Sequence, residues 1–287
     1  MTPLHRFWLI LRHAGVASYE YGLIDIAKGA AFSALLSFFP VLTTLATILV
    51  QANAERVSQS IAKFLFEVVP PGTEDVVQYA FTLRGARPNY LIAGAALLSI
   101  WSASDVIVSL MSGFQAAYGS PNTRSFWRQR GVAILLVFST LLPAIVASLL
   151  LIFSENIGAT VLNLLGLLAR GETFKEITIL LSRAISVVLA IFTLVIVTSW
   201  LYRFAPSLKK RWTRVWPGAM LATFLWSLAT LGFGWYVRNI ATYNIMYGSI
   251  GAAIALLIWM YMLSLIALFG CAFNAETERL KQAGVIQ

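Results

Sequence analysis

The sequence predicts an all-α fold, a polytopic membrane helix bundle with about six transmembrane helices and amphipathic helices at the interface, as one membrane domain over 1–287. Three observations lead there. Hydrophobic residues make up 59% of the 287 positions and charged ones only 11%, whereas a soluble domain carries about 25% charge. So few charges cannot cover a water-facing surface of this size, but a surface that meets lipid tails needs none. Second, stretches without Asp, Glu, Lys or Arg run over 29–54, 131–154, 184–202, 215–237 and 239–275, and over 88–123 with only Asp105 inside. An apolar layer about 30 Å thick takes roughly 20 helical residues at about 1.5 Å each, so each stretch is long enough to cross. Third, no stretch alternates apolar and polar residues with period two, as an outer-membrane barrel would.

Each element follows in chain order. Residues 1–28 form a cytoplasmic interfacial segment: Leu4, Phe7, Trp8 and Leu11 fall at i, i+3, i+4 and i+7, the apolar stripe of a helix lying along a membrane surface. The apolar run Phe7–Leu11 is five residues before Arg12, shorter than the roughly 7–15 of an export-signal core, so a retained helix is expected. The first span covers about 29–50, with Pro40 placed to kink it. The connection 51–89 reads as an outer, hairpin-like pair of helices: Val57, Ile61, Phe64, Leu65 and Val68 keep helical spacing, Pro70-Pro71-Gly72 breaks the chain, and Val76, Ala80 and Leu83 resume it.

Spans follow at about 90–112 and 132–153. The stretch 154–176 is greasy at Val161 to Leu168, but Glu155 and Arg170 bracket too few residues to cross, which makes it interfacial. Spans at about 178–200, 216–237 and 248–272 complete the chain. Cys271, the single cysteine, sits in the last span as a small buried apolar residue and excludes an intrachain disulfide. No internal repeat is visible.

Charge sets the orientation. With six spans both termini share a side, and that side receives thirteen Lys and Arg against seven on the other. The positive-inside rule then puts both termini in the cytoplasm. Seven of the twelve carboxylates lie in the opposite connections, so the formal charge of +9 resides on the cytoplasmic face. Lys28, Arg124, Arg128, Arg130, Lys209, Lys210, Arg211 and Arg214 are its candidate contacts to anionic headgroups, with the fixing of topology as their plainer role.

From Phe204 onward the residue order resembles the YihY/BrkB family of bacterial inner-membrane proteins. The likeness rests on Phe204-Ala205-Pro206, Lys209-Lys210-Arg211-Trp212, Trp216-Pro217-Gly218-Ala219, Trp226, Tyr236 and Tyr243. It continues through Tyr247-Gly248-Ser249-Ile250-Gly251-Ala252, Trp259-Met260-Tyr261 and Gly270-Cys271-Ala272-Phe273-Asn274-Ala275. Ala34-Leu35-Leu36-Ser37-Phe38-Phe39-Pro40 and Trp101-Ser102-Ala103-Ser104 extend it toward the N-terminus. The resemblance implies a six-span inner-membrane protein with an envelope or lipid-transport role. Many members carry Glu where this chain has Ala272, so no role of that carboxylate carries over. Some members have also been labelled ribonuclease BN.

Chemistry argues against that last label. Metal-assisted RNA cleavage needs His, Asp and Glu converging on divalent ions, and here the histidines are His5 and His13, with Glu20, Asp25, Glu276 and Glu278 as the cytoplasmic carboxylates. Neither a phosphate-cradling glycine loop nor a zinc-ligand spacing nor a nucleophile elbow is present, so no catalytic residue, metal or cofactor is assigned and no nucleic acid is expected as partner.

The remaining candidates are polar groups at membrane depth, which are costly and often functional. Asp105 leads, and Arg183, the one base well inside a span, is its natural partner, although at about 1.5 Å per residue the two lie roughly 22 and 8 Å from the outer side. Direct pairing would need tilt or a broken helix. The plainer arrangement has Asp105 bonding near the cytoplasmic end while Arg183 snorkels outward. Ser33, Ser37, Ser102, Ser104 and Asn274 are candidates for a polar cavity around them, and Gly248, Gly251 and Ala255 for close helix packing.

The leading reading is a non-enzymatic transporter or lipid-handling component of the envelope whose partners are membrane phospholipids, anionic by the charge argument. The alternative is a structural or assembly partner of an envelope complex that moves nothing. Substrate, direction, energy source and oligomeric state are not legible.

Overall fold

A computed structural model describes residues 2–51, 89–152, 172–207, 211–239 and 249–285. Seven helices are described: α1 Pro3–Glu20, α2 Leu23–Gln51, α3 Asn89–Ala117, α4 Phe126–Ile152, α5 Glu172–Phe204, α6 Trp212–Asn239 and α7 Ser249–Gln282. The expected connection 51–89 and most of 154–176 lie outside the described residues. α2, α3, α5, α6 and α7 each carry an apolar stretch long enough to cross a membrane. The expected span 132–153 falls on α4, which is not among them, so five spanning helices stand among the described residues where about six were expected.

Each end of a helix has a local cause. Thr2 caps α1, its hydroxyl accepting the His5 N–H at 3.4 Å, and Pro3 occupies the first turn, where a missing N–H costs nothing. α3 stops at Gly119, whose φ of 60° lets the Gly119 and Ser120 N–H groups turn back onto the carbonyls of Ala116 and Gln115. Within the helices, hydroxyls bond the carbonyl a turn earlier, as Thr43 to Phe39, Thr140 to Leu136 and Thr198 to Leu194. No polar hydrogen is then left facing apolar surroundings at those positions.

Helices α2 to α7 close a ring in chain order, each packing on the next and α7 returning to α2. α7 also packs on α3, and α1 lies against α7. α1 packs through a different face, the buried Ile10, Ala14 and Ala17, and of the expected stripe Leu4, Phe7 and Trp8 stay exposed, the Phe7 ring 5.7 Å from that of Phe273.

One end of the bundle gathers the starts of α2, α4 and α6, the ends of α3, α5 and α7, and α1. Arg279 of α7 donates to the Ala117 carbonyl ending α3 at 2.9 Å and stacks over Tyr21, just before α2. Arg214 of α6 lies 3.8 Å from Glu278. The main core sits toward this end, around Met111, Phe114, Tyr202, Ala219, Leu268 and Cys271.

The tightest packing is between α6 and α7. Asn274 donates to the Val215 carbonyl at 2.9 Å and accepts the Gly218 N–H at 2.7 Å. A Cβ on Gly218 would lie 2.0 Å from the Gly270 carbonyl oxygen, so this approach requires glycine. Tyr202 reaches in from α5 to donate to the Ala267 carbonyl at 2.6 Å. Outside this core Phe32, Leu36, Leu97, Leu98, Leu135, Val188, Phe192 and Leu231 are exposed, as helices against lipid require.

Candidate functional site

The seam between α3 and α4 carries a charged pair on an otherwise apolar flank. Arg130 of α4 places Nη1 2.6 Å from Oδ1 of Asp105 on α3, and the same nitrogen donates to the Ser104 hydroxyl at 2.7 Å. Ser104 passes its own hydrogen to the Trp101 carbonyl. The guanidinium lies 4.3 Å from the centre of the Trp101 ring and 5.8 Å from that of Phe126. Buried arginine is costly, and three things offset that cost here: an opposite charge, a neutral acceptor and an aromatic face. Two pairs spaced i, i+4, Trp101 with Asp105 and Phe126 with Arg130, put each aromatic ring beside a charge.

Exposure is uneven. The Arg130 side chain keeps 10% of its surface and Asp105 keeps 42%. Arg130 Nε is buried with no hydrogen-bond partner among the described residues. The flank of α3 bearing Asp105 also bears the exposed Leu97, Leu98 and Trp101. It faces away from the surfaces where Ser99 bonds Thr44 of α2 and Phe114 meets Tyr202 of α5. Asp105 therefore keeps an outward-facing side. One turn before Arg130, Phe126 and Trp127 are both exposed, and Trp200, Phe204 and Trp212 cluster where α5 turns into α6. In membrane proteins such rings gather at headgroup level.

A second network ties the neighbouring loop down. Arg124 donates to the carbonyls of Phe204, Ala205 and Pro206 at 3.2, 2.7 and 3.0 Å, capping α5 with a cation where its dipole is negative. Burial, and secondarily the nearby Arg128, pulls the Arg124 guanidinium below its ordinary range. Gln115 donates to Ser207 and Asn122, and Asn122 bonds Gln129. Next to it, burial pushes the Tyr118 phenol far above its usual range, so it stays neutral.

The structure relocates several expected site residues. Asp105 pairs with Arg130. Arg183, proposed as its partner, lies on α5 with a side chain outside the described residues. Arg130, expected at a headgroup, is instead buried, because its charge finds Asp105 within the protein. Arg124 spends its donors on carbonyls. Lys28 pairs with Asp25 at 2.8 Å on the surface, Arg128, Arg211 and Arg214 are exposed, and Lys209 and Lys210 lie outside the described residues.

Of the polar candidates, Ser104 joins Asp105 on Arg130, and the others lie elsewhere. Ser37 bonds the Ala34 carbonyl of its own helix, Asn274 serves the α6–α7 contact, and Ser33 and Ser102 are half-buried on α2 and α3. Gly251 and Ala255 are buried, the latter against Phe233, and Gly248 lies outside the described residues. No group of three or more His, Cys, Asp and Glu able to hold a metal occurs among the described residues.

Comparisons with known proteins match this picture. The family model described as Virulence factor BrkB covers residues 20–285. The chain is 28% identical to a protein named ribonuclease-like, YfkH of Bacillus subtilis, over 88% of this chain and 89% of that one. It is 26% identical to a UPF0761 membrane protein of Tolumonas auensis, over 87% of this chain and 79% of that one. To one of Photobacterium profundum it is 27% identical, over 92% and 79%. No solved structure matches. With its helical bundle and a family model spanning nearly the whole length, the chain belongs to the BrkB/UPF0761 family of multi-pass inner-membrane proteins.

Proposed function

We propose that this protein is a transporter or lipid-handling component of the cell envelope, working through the outward-facing seam between α3 and α4. The observation that carries this reading is the half-exposed Asp105 beside buried Arg130, a charged notch on a flank that otherwise meets lipid tails. Such a notch gives a polar headgroup a foothold just inside the membrane boundary, where an exposed charge is otherwise costly.

The topology supports six crossings with cytoplasmic termini. α3 ends, and α4 begins, at the end of the bundle where α5 also ends, since Arg124 bridges them. α5 spans, so it starts at the opposite end, and the chain between must cross once more. α4 is the described helix that lies between them, and its 27 residues reach about 40 Å at 1.5 Å each. The shared end carries Arg128, Arg203, Arg211, Arg214 and Lys281 and faces the cytoplasm by the positive-inside rule. There it draws anionic lipids to the protein in general.

The test is movement of a labelled phospholipid between leaflets of vesicles holding the purified protein. Transfer above that of protein-free vesicles, reduced in Asp105→Asn without loss of folded protein, is expected. Transfer no faster than in empty vesicles overturns the reading.

A further inference from the structure

The seam has a chemistry more specific than attraction to lipid. Arg130 and Asp105 together carry no net charge, so the notch has little to offer an anionic headgroup as a whole. What remains open is directional. A carboxylate has about four acceptor positions, and Arg130 is the described residue that pairs with this one, through Oδ1. The rest of a side chain 42% exposed faces outward. On the other side of the pair, the guanidinium holds an unpartnered Nε, and its Nη1 carries both of the contacts described above. The notch therefore presents an exposed acceptor beside a cation that keeps only a narrow open edge, 10% of its side-chain surface, one turn from the exposed Phe126 and Trp127 rings.

We infer that this notch binds a zwitterionic phospholipid bearing a primary amine, that is, phosphatidylethanolamine. Its ammonium donates to the open side of the Asp105 carboxylate, and its phosphate is held toward the Arg130 edge, so each charge of the headgroup meets its opposite. The quaternary ammonium of phosphatidylcholine has no N–H to donate to the carboxylate, and one face of the Trp101 ring is already taken by Arg130 at 4.3 Å. Phosphatidylglycerol brings a phosphate and no cation, and would leave Asp105 facing a like charge. Selection thus comes from the amine. The basic loops a turn away still collect anionic lipids around the protein without occupying this notch. The inference rests on the reading of this flank as lipid-facing, but it concerns which lipid is held and not whether any lipid is moved.

The experiment is lipid retention, independent of transport. The purified full-length protein is equilibrated in detergent with equal amounts of dioleoyl phosphatidylethanolamine, phosphatidylcholine and phosphatidylglycerol, and bound lipid is counted by native mass spectrometry. One hydrogen bond to a charged group corresponds to roughly tenfold in an equilibrium constant, so phosphatidylethanolamine is expected to exceed phosphatidylcholine by about that factor in at least one retained lipid. Asp105→Asn is expected to abolish the preference and Asp105→Glu to keep most of it. Because Asp105→Asn leaves Arg130 without its counter-charge, both variants are first checked by thermal melting. If Asp105→Asn proves too unstable, Trp101→Leu, which removes the wall behind Arg130 and leaves both charges, is expected to weaken the preference. Equal retention of the three lipids, preference for phosphatidylglycerol at every bound position, or a phosphatidylethanolamine preference unchanged in the folded variants overturns the inference. A failure of leaflet transfer with amine selectivity intact would count against the transport reading alone.

Discussion

Replacing Gly218 by alanine tests the packing that holds α6 against α7. The added Cβ would fall 2.0 Å from the Gly270 carbonyl oxygen and 2.5 Å from Asn274 Nδ2. The first neighbour is backbone and cannot rotate away, so the helices must part by about 1.4 Å to restore the 3.4 Å of ordinary contact. A separation of that size opens the 2.7 Å bond between the Gly218 N–H and Asn274, and with it the 2.9 Å bond to Val215. Overpacking costs about 1–3 kcal/mol, and two buried hydrogen bonds add about 1 kcal/mol each. A loss of roughly 3–5 kcal/mol is expected, a large share of the ~5–15 kcal/mol that keeps a typical protein folded. Gly131→Ala is the control, because nothing lies within 4 Å of its added carbon and alanine favours a helix by up to ~1 kcal/mol. Thermal unfolding in mild detergent, followed by tryptophan fluorescence, reads both. A Gly218→Ala protein that melts together with Gly131→Ala would refute the claim that contact of the two backbones sets this interface.

Further outcomes follow from the same contacts. Asp105→Asn should destabilise the fold by about 2 kcal/mol, between the values for buried and exposed pairs since Asp105 is 42% exposed; adding Arg130→Met should recover part of the loss in the same melting assay. Arg124→Gln removes the charge on three carbonyls at and just past the end of α5 and should cost about 1–2 kcal/mol, with faster amide exchange over 201–207. Tyr202→Phe forfeits the bond to Ala267 and should lower stability by about 1 kcal/mol, without changing which lipids are retained.

Much of the fold was legible because membrane solvation writes itself into long uncharged runs. The runs beginning at Gly29, Ala184, Val215 and Asn239 each supply the apolar stretch of a helix long enough to cross. The site was less legible. Asp105 stood out as a charge among apolar residues, but its partner did not, because Arg130 closes a loop in sequence and is indistinguishable there from a residue that meets headgroups. The signal lay in spacing across two helices, with Trp101 and Asp105 on one face and Phe126 and Arg130 on the other. Asn274, by contrast, bonds the Val215 carbonyl and the Gly218 N–H. A polar side chain next to glycines at a helix crossing is consumed by backbone groups that the close approach exposes. Ala272 is buried in the same core, where a carboxylate would need a partner of its own.

The two roles of a loop arginine separate in time, which explains how charge counting can indicate orientation and still misplace individual residues. Orientation is decided while a segment enters the membrane, when every Lys and Arg near a span resists crossing whatever it later touches. Only after the helices have packed does Arg130 find Asp105 and leave the surface, while Arg128 and Arg211 stay exposed. Arg130→Met should therefore leave reporter tags at the N-terminus, near residue 122 and at the C-terminus on the same sides as in the parent protein, because the remaining bases still set the orientation. It should nevertheless lower the melting temperature, since Asp105 loses its counter-charge and Trp101 loses the cation on its face. A reversed reporter pattern would show that Arg130 acts during insertion more than in the folded bundle. A melting temperature equal to the parent protein's would show that the seam contributes nothing to packing.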